Sequence, residues 1–244
     1  MFKVVIPARY ASARLPGKPL MDIAGKPMIV RVAEQASKSG ASEIIVATDF
    51  EKIVKVCEAY NFKAVMTRID HASGTDRIAE VAQQLGWADD EIVVNVQGDE
   101  PLIDPILINQ VAEHLALNLN AVMATASHAI CDESSMINPN IVKVVMDANS
   151  NALYFSRAPI PYPRDEAHKQ AIQAHRHIGI YAYRVGFLKK YATLAPSSLE
   201  KIESLEQLRV LHHGFKIGVT VTKYAPASGV DTQADLDYVR SVWK

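Results

Sequence analysis

The chain has 244 residues, 49% hydrophobic and 22% charged, with a formal net charge of −1. That is enough apolar material for a core, and it is too neutral for a protein whose work is bulk nucleic-acid binding. No apolar run reaches membrane-spanning length, so membrane insertion is excluded, and the opening MFKVVIP reads as a strand rather than a signal peptide. Two cysteines, Cys57 and Cys131, imply no disulfide framework, and Cys57 shares a helical face with Ile53, Val56 and Tyr60. The expectation is a cytoplasmic globular protein.

In chain order, the apolar run Lys3-Val4-Val5-Ile6 stops at Pro7. A loop of small residues follows, carrying Arg9, Arg14 and Lys18, with Pro16, Gly17 and Pro19 stiffening its exit. Pro27 stands as the first residue of a helix to about Ser39. Residues 43–48 (EIIVAT) form a buried strand, with Asp49 as N-cap of the next helix, and 63–67 (KAVMT) a third strand. A polar loop, 70–77 (DHASGTDR), leads into an amphipathic helix to about Leu85. The nearly all-apolar 91–96 (EIVVNV) reads as a central parallel strand, ending in Gln97-Gly98-Asp99-Glu100-Pro101. A helix over 105–117 and a strand over 121–127 complete a series of β-α-β units. The fold expected is α/β, a doubly wound, mostly parallel sheet.

The pattern then changes. Residues 142–147 and 153–156 predict a hairpin, and 157–174, rich in proline and charge, a lid-like loop. Strand 176–183 alternates as a half-exposed strand does, and helices over 186–194 and 200–212 precede a strand over 216–222. Thr232 caps the last helix with Asp235 three residues on. The organisation expected is one domain: a nucleotide-binding core over about 1–130, an antiparallel insert over about 140–225, and a return to the core.

Four polar clusters fall at predicted strand ends, which share one edge of a parallel sheet. The opening loop suits a small polyanion held by side-chain cations and loop amides, or is a solvated charged loop; neither a Walker motif nor a Gly-x-Gly-x-x-Gly fingerprint is present. Ser73-Gly74-Thr75-Asp76-Arg77 could read a base edge or simply cap a helix. Asp99, after a buried strand, is placed to hold a hard cation such as Mg²⁺, or lies in an ordinary strand-to-helix turn. Asp231 is a second metal ligand or a helix-terminus charge. Two carboxylates beside a polycationic loop suggest metal-assisted attack at a phosphate. Arg157 suits a substrate carboxylate, His177 and Tyr181 share a strand face, and Glu206-Gln207 either meet sugar hydroxyls or form the wet side of a helix whose apolar stripe is Ile202, Leu205, Leu208 and Leu211.

Taken together, IPARYASARLPGKPL, MTRIDHASGTDR, VNVQGDEPLI, ALYFSRAPIP, HRHIGIYAYR, LEQLRVL and GVDTQADL closely resemble the cytidylyltransferases that activate 3-deoxy-D-manno-octulosonate (Kdo), from about residue 2 to residue 240. Single motifs are shared with CMP-sialic acid synthetases; the set is not. The resemblance implies a nucleotide-diphospho-sugar transferase fold and transfer of CMP from CTP to Kdo with Mg²⁺, giving CMP-Kdo and pyrophosphate for lipopolysaccharide synthesis, in a homodimer. Carried onto this sequence, it puts Arg9, Ser12, Arg14 and Lys18 on the triphosphate, and Pro7, Ala8, Ser73, Gly74 and Arg77 on the cytidine. Asp99 and Asp231 would ligate magnesium. Gln97, Arg157, His177, Tyr181, Glu206 and Gln207 would surround the sugar acid. Arg9, Lys18, Asp99 and Asp231 would carry catalysis. The segment 161–174 matches least well, and no site is assigned there. The rival readings are a cytidylyltransferase for 8-amino-Kdo or a sialic acid, and a non-catalytic nucleotide sensor. A nucleotide-sugar glycosyltransferase would usually carry an Asp-x-Asp, and none sits at a strand end.

Overall fold

The computed structural model describes residues 1–11, 15–71, 73–165 and 174–243. Strand β1 (Phe2–Ala8) leads through a single 3-10 turn at Lys18–Leu20 and the short ribbon of β2 (Asp22–Ile23) and β3 (Lys26–Pro27) into α1 (Met28–Ala36). There follow β4 (Glu43–Thr48), α2 (Glu51–Ala59), β5 (Lys63–Met66), α3 (Gly74–Gln84), β6 (Ile92–Asn95), α4 (Pro105–Leu117) and β7 (Ala121–Ala129). The later part comprises α5 (Glu133–Ile137), β8 (Lys143–Met146), β9 (Ala152–Ser156), β10 (His175–Arg184), α6 (Val185–Tyr191), α7 (Ser198–Glu203), α8 (Gln207–His212), β11 (Lys216–Thr222) and α9 (Gln233–Val242).

The sheet runs β11-β7-β10-β6-β1-β4-β5, with β8 and β9 joined to it through β10. β1 pairs in parallel with both β4 and β6 and is buried on both faces, which is why its apolar run is continuous. Successive strand residues point to opposite faces and so feed two cores. Val4 and Ile6 pack with Val30, Ile108 and Val239 on one side; Val5 packs with Ile78, Phe187 and Leu208 on the other. Cys57 lies in the first core, fully enclosed. Among the described residues no helix is long and apolar enough to cross a membrane.

The expected α/β sheet is present, and so are the hairpin and the Thr232–Asp235 capping box. Several local expectations change. Pro27 is engaged in the β2–β3 ribbon and precedes α1 as its cap, and α1 ends at Ala36 rather than near Ser39. Phe50, not Asp49, stands before α2, because the Asp49 carboxylate is taken by Arg77. The strand over 176–183 is half-buried along much of its length, as expected, but its place was not: β10 runs antiparallel between β6 and β7. Its register slips between His177 and Tyr181 around Gly179 at φ +89°, a backbone region that glycine enters without a side-chain clash. The helix expected over 200–212 is two helices, broken at Ser204 (φ +53°), which leaves Ile202 80% exposed and outside the apolar stripe. Within the lid-like segment, 157–165 carries no helix or strand, and 166–173 lie outside the described residues.

Candidate active site

At the carboxyl edge of the sheet the loop after β6 and the start of α3 close on the end of β1. Gly98 lies so near it that a Cβ there would stand 2.7 Å from the Pro7 carbonyl oxygen, so a side chain would force β1 and the loop after β6 apart. On the other flank, the first residue of α3, Gly74, borders the Pro7 ring. Arg9 is exposed beside them, and a cleft of about 190 Å³ is lined by Pro7, Ala8, Arg9, Lys18, Gly98 and Asp99. Ser12 and Arg14 lie outside the described residues.

Lys18 is the hub of this edge. Its residue is 8% exposed, and its Nζ donates to Asp99 Oδ2 at 2.6 Å and Asp231 Oδ1 at 3.2 Å. The lysine is the first residue of the 3-10 turn. Asp231 arrives from the far end of the chain because the Val230 N–H donates to the Asp99 carbonyl at 2.8 Å. The Asp231 N–H in turn donates to Asp235 Oδ2, inside the capping box of α9. Glu100 next door is pushed up to about 8 by burial and by the Asp99 charge, so it adds little negative charge to the Asp99–Asp231 pair at neutral pH. Two hard carboxylates converging on one cation form a donor set that fits Mg²⁺, whose other ligands are commonly phosphate oxygens and water.

Ser73 accepts from the Asp76 N–H and Asp76 reciprocates, so the capping reading of this loop holds structurally. Arg77 is not at the surface of the site. It is wholly buried, with Nη2 on Asp49 Oδ2 at 2.8 Å and Nη1 donating to Thr67 Oγ1. The expected contact with cytidine gives way to a brace between α3 and the ends of β4 and β5. Arg77→Ala strands the Asp49 carboxylate and is expected to lower stability by about 3–5 kcal/mol in urea unfolding.

A second cavity, of about 240 Å³, opens on the other side of Gln97 and is lined by Tyr181, Tyr183, Tyr191, Glu206, Gln207 and Asn95 among others. Gln97 borders both spaces, so the cationic cleft and the hydroxyl-rich cavity meet there. Desolvation holds the Tyr181, Tyr183 and Tyr191 hydroxyls protonated far above neutral pH and raises the Glu206 carboxyl at the rim. These walls offer hydroxyl, amide and carboxyl groups suited to a polyhydroxylated ligand.

Two residues expected here line neither space. Arg157 donates from Nε to the Glu203 carbonyl at 2.7 Å and from Nη1 to the Pro139 carbonyl at 2.9 Å, because the end of β9 turns it behind the cavity. His177 backs the wall: its ring packs 4.9 Å from Phe155 and 5.4 Å from Tyr181. The Thr125 hydroxyl donates to the Ile180 carbonyl and therefore accepts from His177 Nε2, at 2.9 Å. Desolvation pushes the His177 imidazole down to about 3. Between pH 6.5 and 3 the unfolded chain binds a proton there that the folded chain refuses, so this group's penalty on folding grows as pH falls. The expected result is a stability loss below pH 6.5 of up to about 1.4 kcal/mol per pH unit from this residue, absent in His177→Gln and read by denaturant unfolding at pH 7, 6 and 5.

Asn95, Tyr183 and Tyr191, which line the second cavity, were not singled out from sequence. Two of them carried a signal: Asn95 is the one polar residue inside the apolar run of β6, and Tyr183 follows Tyr181 at the two-residue strand period.

Residues 3–217 match the family model described as Cytidylyltransferase. A solved structure of CMP:2-keto-3-deoxy-manno-octonic acid synthetase complexed with CTP is 45% identical, covering 98% of this chain and 97% of that one, with a TM-score of 0.91. A cytidylyltransferase from Leptospira borgpetersenii, at 15% identity, 98% and 85% coverage and a TM-score of 0.61, shares the fold. The mixed sheet with its basic loop and convergent carboxylates is thus the nucleotide-diphospho-sugar transferase architecture of a nucleotidyltransferase. Within that class, the chain belongs to the cytidylyltransferase family.

Proposed function

We propose that this chain transfers CMP from CTP to 3-deoxy-D-manno-octulosonate, giving CMP-Kdo and pyrophosphate. The observation that carries the reading is the full-length likeness to the synthetase solved with CTP; its substrate, 2-keto-3-deoxy-manno-octonic acid, is Kdo by another name. The meeting of a cationic cleft and a hydroxyl-lined cavity at Gln97 fits a reaction that joins a triphosphate to a sugar acid.

The anomeric hydroxyl oxygen of the sugar acid attacks the α-phosphorus of CTP as its O–H bond breaks, and the bond from that phosphorus to the bridging oxygen breaks with it, so pyrophosphate and one proton are released. Pro7, Ala8 and the Ser73-Gly74 turn flank the cytidine, and Gly98 lets the nucleotide approach the β1 end. Arg9 and Lys18 hold the phosphates and offset charge growing on the leaving group, a role in which fixed donors cost no reorganisation. Gln97, Tyr181, Glu206 and Gln207 orient the sugar. Asp99 and Asp231 would hold Mg²⁺, which supplies neutralisation of the triphosphate charge when bound. In the cell we place the protein in the cytoplasm as a homodimer, its product feeding lipopolysaccharide assembly.

A panel of sugar acids with CTP tests the acceptor. Kdo is expected to give the highest kcat/KM; a sialic acid or 8-amino-Kdo exceeding it would reassign the substrate.

A further inference from the structure

We propose that Glu203 is a positioning residue for the second substrate: it pins the corner at Ser204 to the β8–β9 hairpin and so aims Glu206 and Gln207 into the tyrosine-lined cavity. The proposal rests on the reading of that cavity as the sugar-acid site.

Glu203 ends α7, and the next residue, Ser204, takes a left-handed backbone (φ +53°, ψ +50°) that a non-glycine residue holds only where its surroundings impose it. Glu203 supplies that restraint through three bonds to the end of β9. Its carboxylate accepts from Ser156 Oγ at 2.6 Å and from the Arg157 N–H at 2.9 Å, and its carbonyl accepts from Arg157 Nε at 2.7 Å. The hairpin side of this joint is itself rigid. Lys143, with no exposed surface, donates from Nζ to the carbonyls of Arg157, Asn138 and Ile141 at 2.6, 3.0 and 2.7 Å.

Beyond the corner, Leu205 and Leu208 are buried in the second core. With position 203 fastened and these two leucines anchored, the intervening Glu206 and Gln207 have one side left to face, the cavity they line. Charge-assisted bonds from a hydroxyl and a backbone amide to one carboxylate are strong and directional, which suits a positioning role. Glu203 is absent from the residues lining either cleft, so its influence on substrate passes through the corner.

The test is steady-state kinetics of Glu203→Ala with both substrates varied, beside wild type and Glu206→Ala. Expected for Glu203→Ala is a rise of about tenfold in KM for Kdo, with KM for CTP within twofold of wild type, because none of the described residues lining the nucleotide cleft is bonded to this joint. Ser156→Ala, which deletes one hydroxyl, is expected to raise the Kdo KM about threefold in the same selective manner and serves if the larger change prevents folding. An unchanged Kdo KM in folded Glu203→Ala, or equal rises in both KM values, overturns the proposal. Absence of a Kdo effect in Glu206→Ala, or no turnover of Kdo by wild type, instead overturns the reading of the cavity.

Discussion

Lys18→Ala is expected to lower kcat by about a thousandfold while the protein stays folded. The ammonium occupies the point where the basic loop after β1, the loop after β6 and the turn before α9 converge, 2.6 Å from one carboxylate and 3.2 Å from another. Among the described residues of the cleft it is the buried cation able to meet the negative charge that grows on pyrophosphate in the proposed reaction, and a buried, pre-oriented donor is worth more than an exposed one such as Arg9. Removing it also leaves Asp99 and Asp231 facing each other without the charge that joins them. The variant is therefore expected to bind Mg²⁺ at least as well as wild type in a calorimetric titration, while failing at turnover. A variant that keeps near-normal kcat contradicts the role.

The second large effect is expected from Asp99→Asn. The substitution preserves size and most hydrogen-bonding capacity, so loss of function cannot be put down to packing. What it removes is one full negative charge and one hard ligand. The expected result is a drop in kcat of about two to three orders of magnitude, together with lost Mg²⁺ binding in the titration that Lys18→Ala passes. The contrast between the two variants separates leaving-group stabilisation from metal holding. Equal metal affinity in both would mean that Asp99 is not a ligand. The Val230-to-Asp99 backbone bond survives both substitutions, so Asp231 is expected to keep its place.

Much of this architecture was legible in the residues alone, for identifiable reasons. β1, β4 and β6 are covered on both faces, and their continuous apolar runs announce it. α4 carries Asp104 and Pro105 at its start, and the capping boxes of α3 and α9 spell their own first turns. Glycine 98 and Asp99 could be placed at the sheet edge because a polar cluster after a buried strand has nowhere else to go. What was not legible depended on partners distant in sequence. Arg77 reads as a loop cation until Asp49 and Thr67 are brought to it, 28 and 10 residues away. Arg157 reads as an anion clamp until the Glu203 carbonyl, 46 residues on, occupies its Nε. Nothing local in β10 reports that it enters the sheet antiparallel between β6 and β7. The break at Ser204 carries no glycine or proline to announce it, since the restraint comes from the neighbouring hairpin.

The same contrast explains how the sheet edge works as a unit. Short-range signals place each loop at the carboxyl end of its strand, and long-range bonds set how the loops meet. Lys18 and Asp231 are 213 positions apart, yet they share one ion-pair cluster. The hydroxyl-lined cavity is assembled from β6, β7, β10, α3, α6 and α8, with Gln97 at the border with the cationic cleft. Arg77 behind one loop and Glu203 behind another hold these parts without lining either space.

The most direct test of the central claim is pyrophosphate release by the purified protein with Mg²⁺ and Kdo, comparing CTP with ATP, GTP and UTP. Release is expected to need both CTP and Kdo and to match the CMP-Kdo formed one for one. Tight CTP binding with no pyrophosphate released, or equal release from any nucleotide, would contradict that claim.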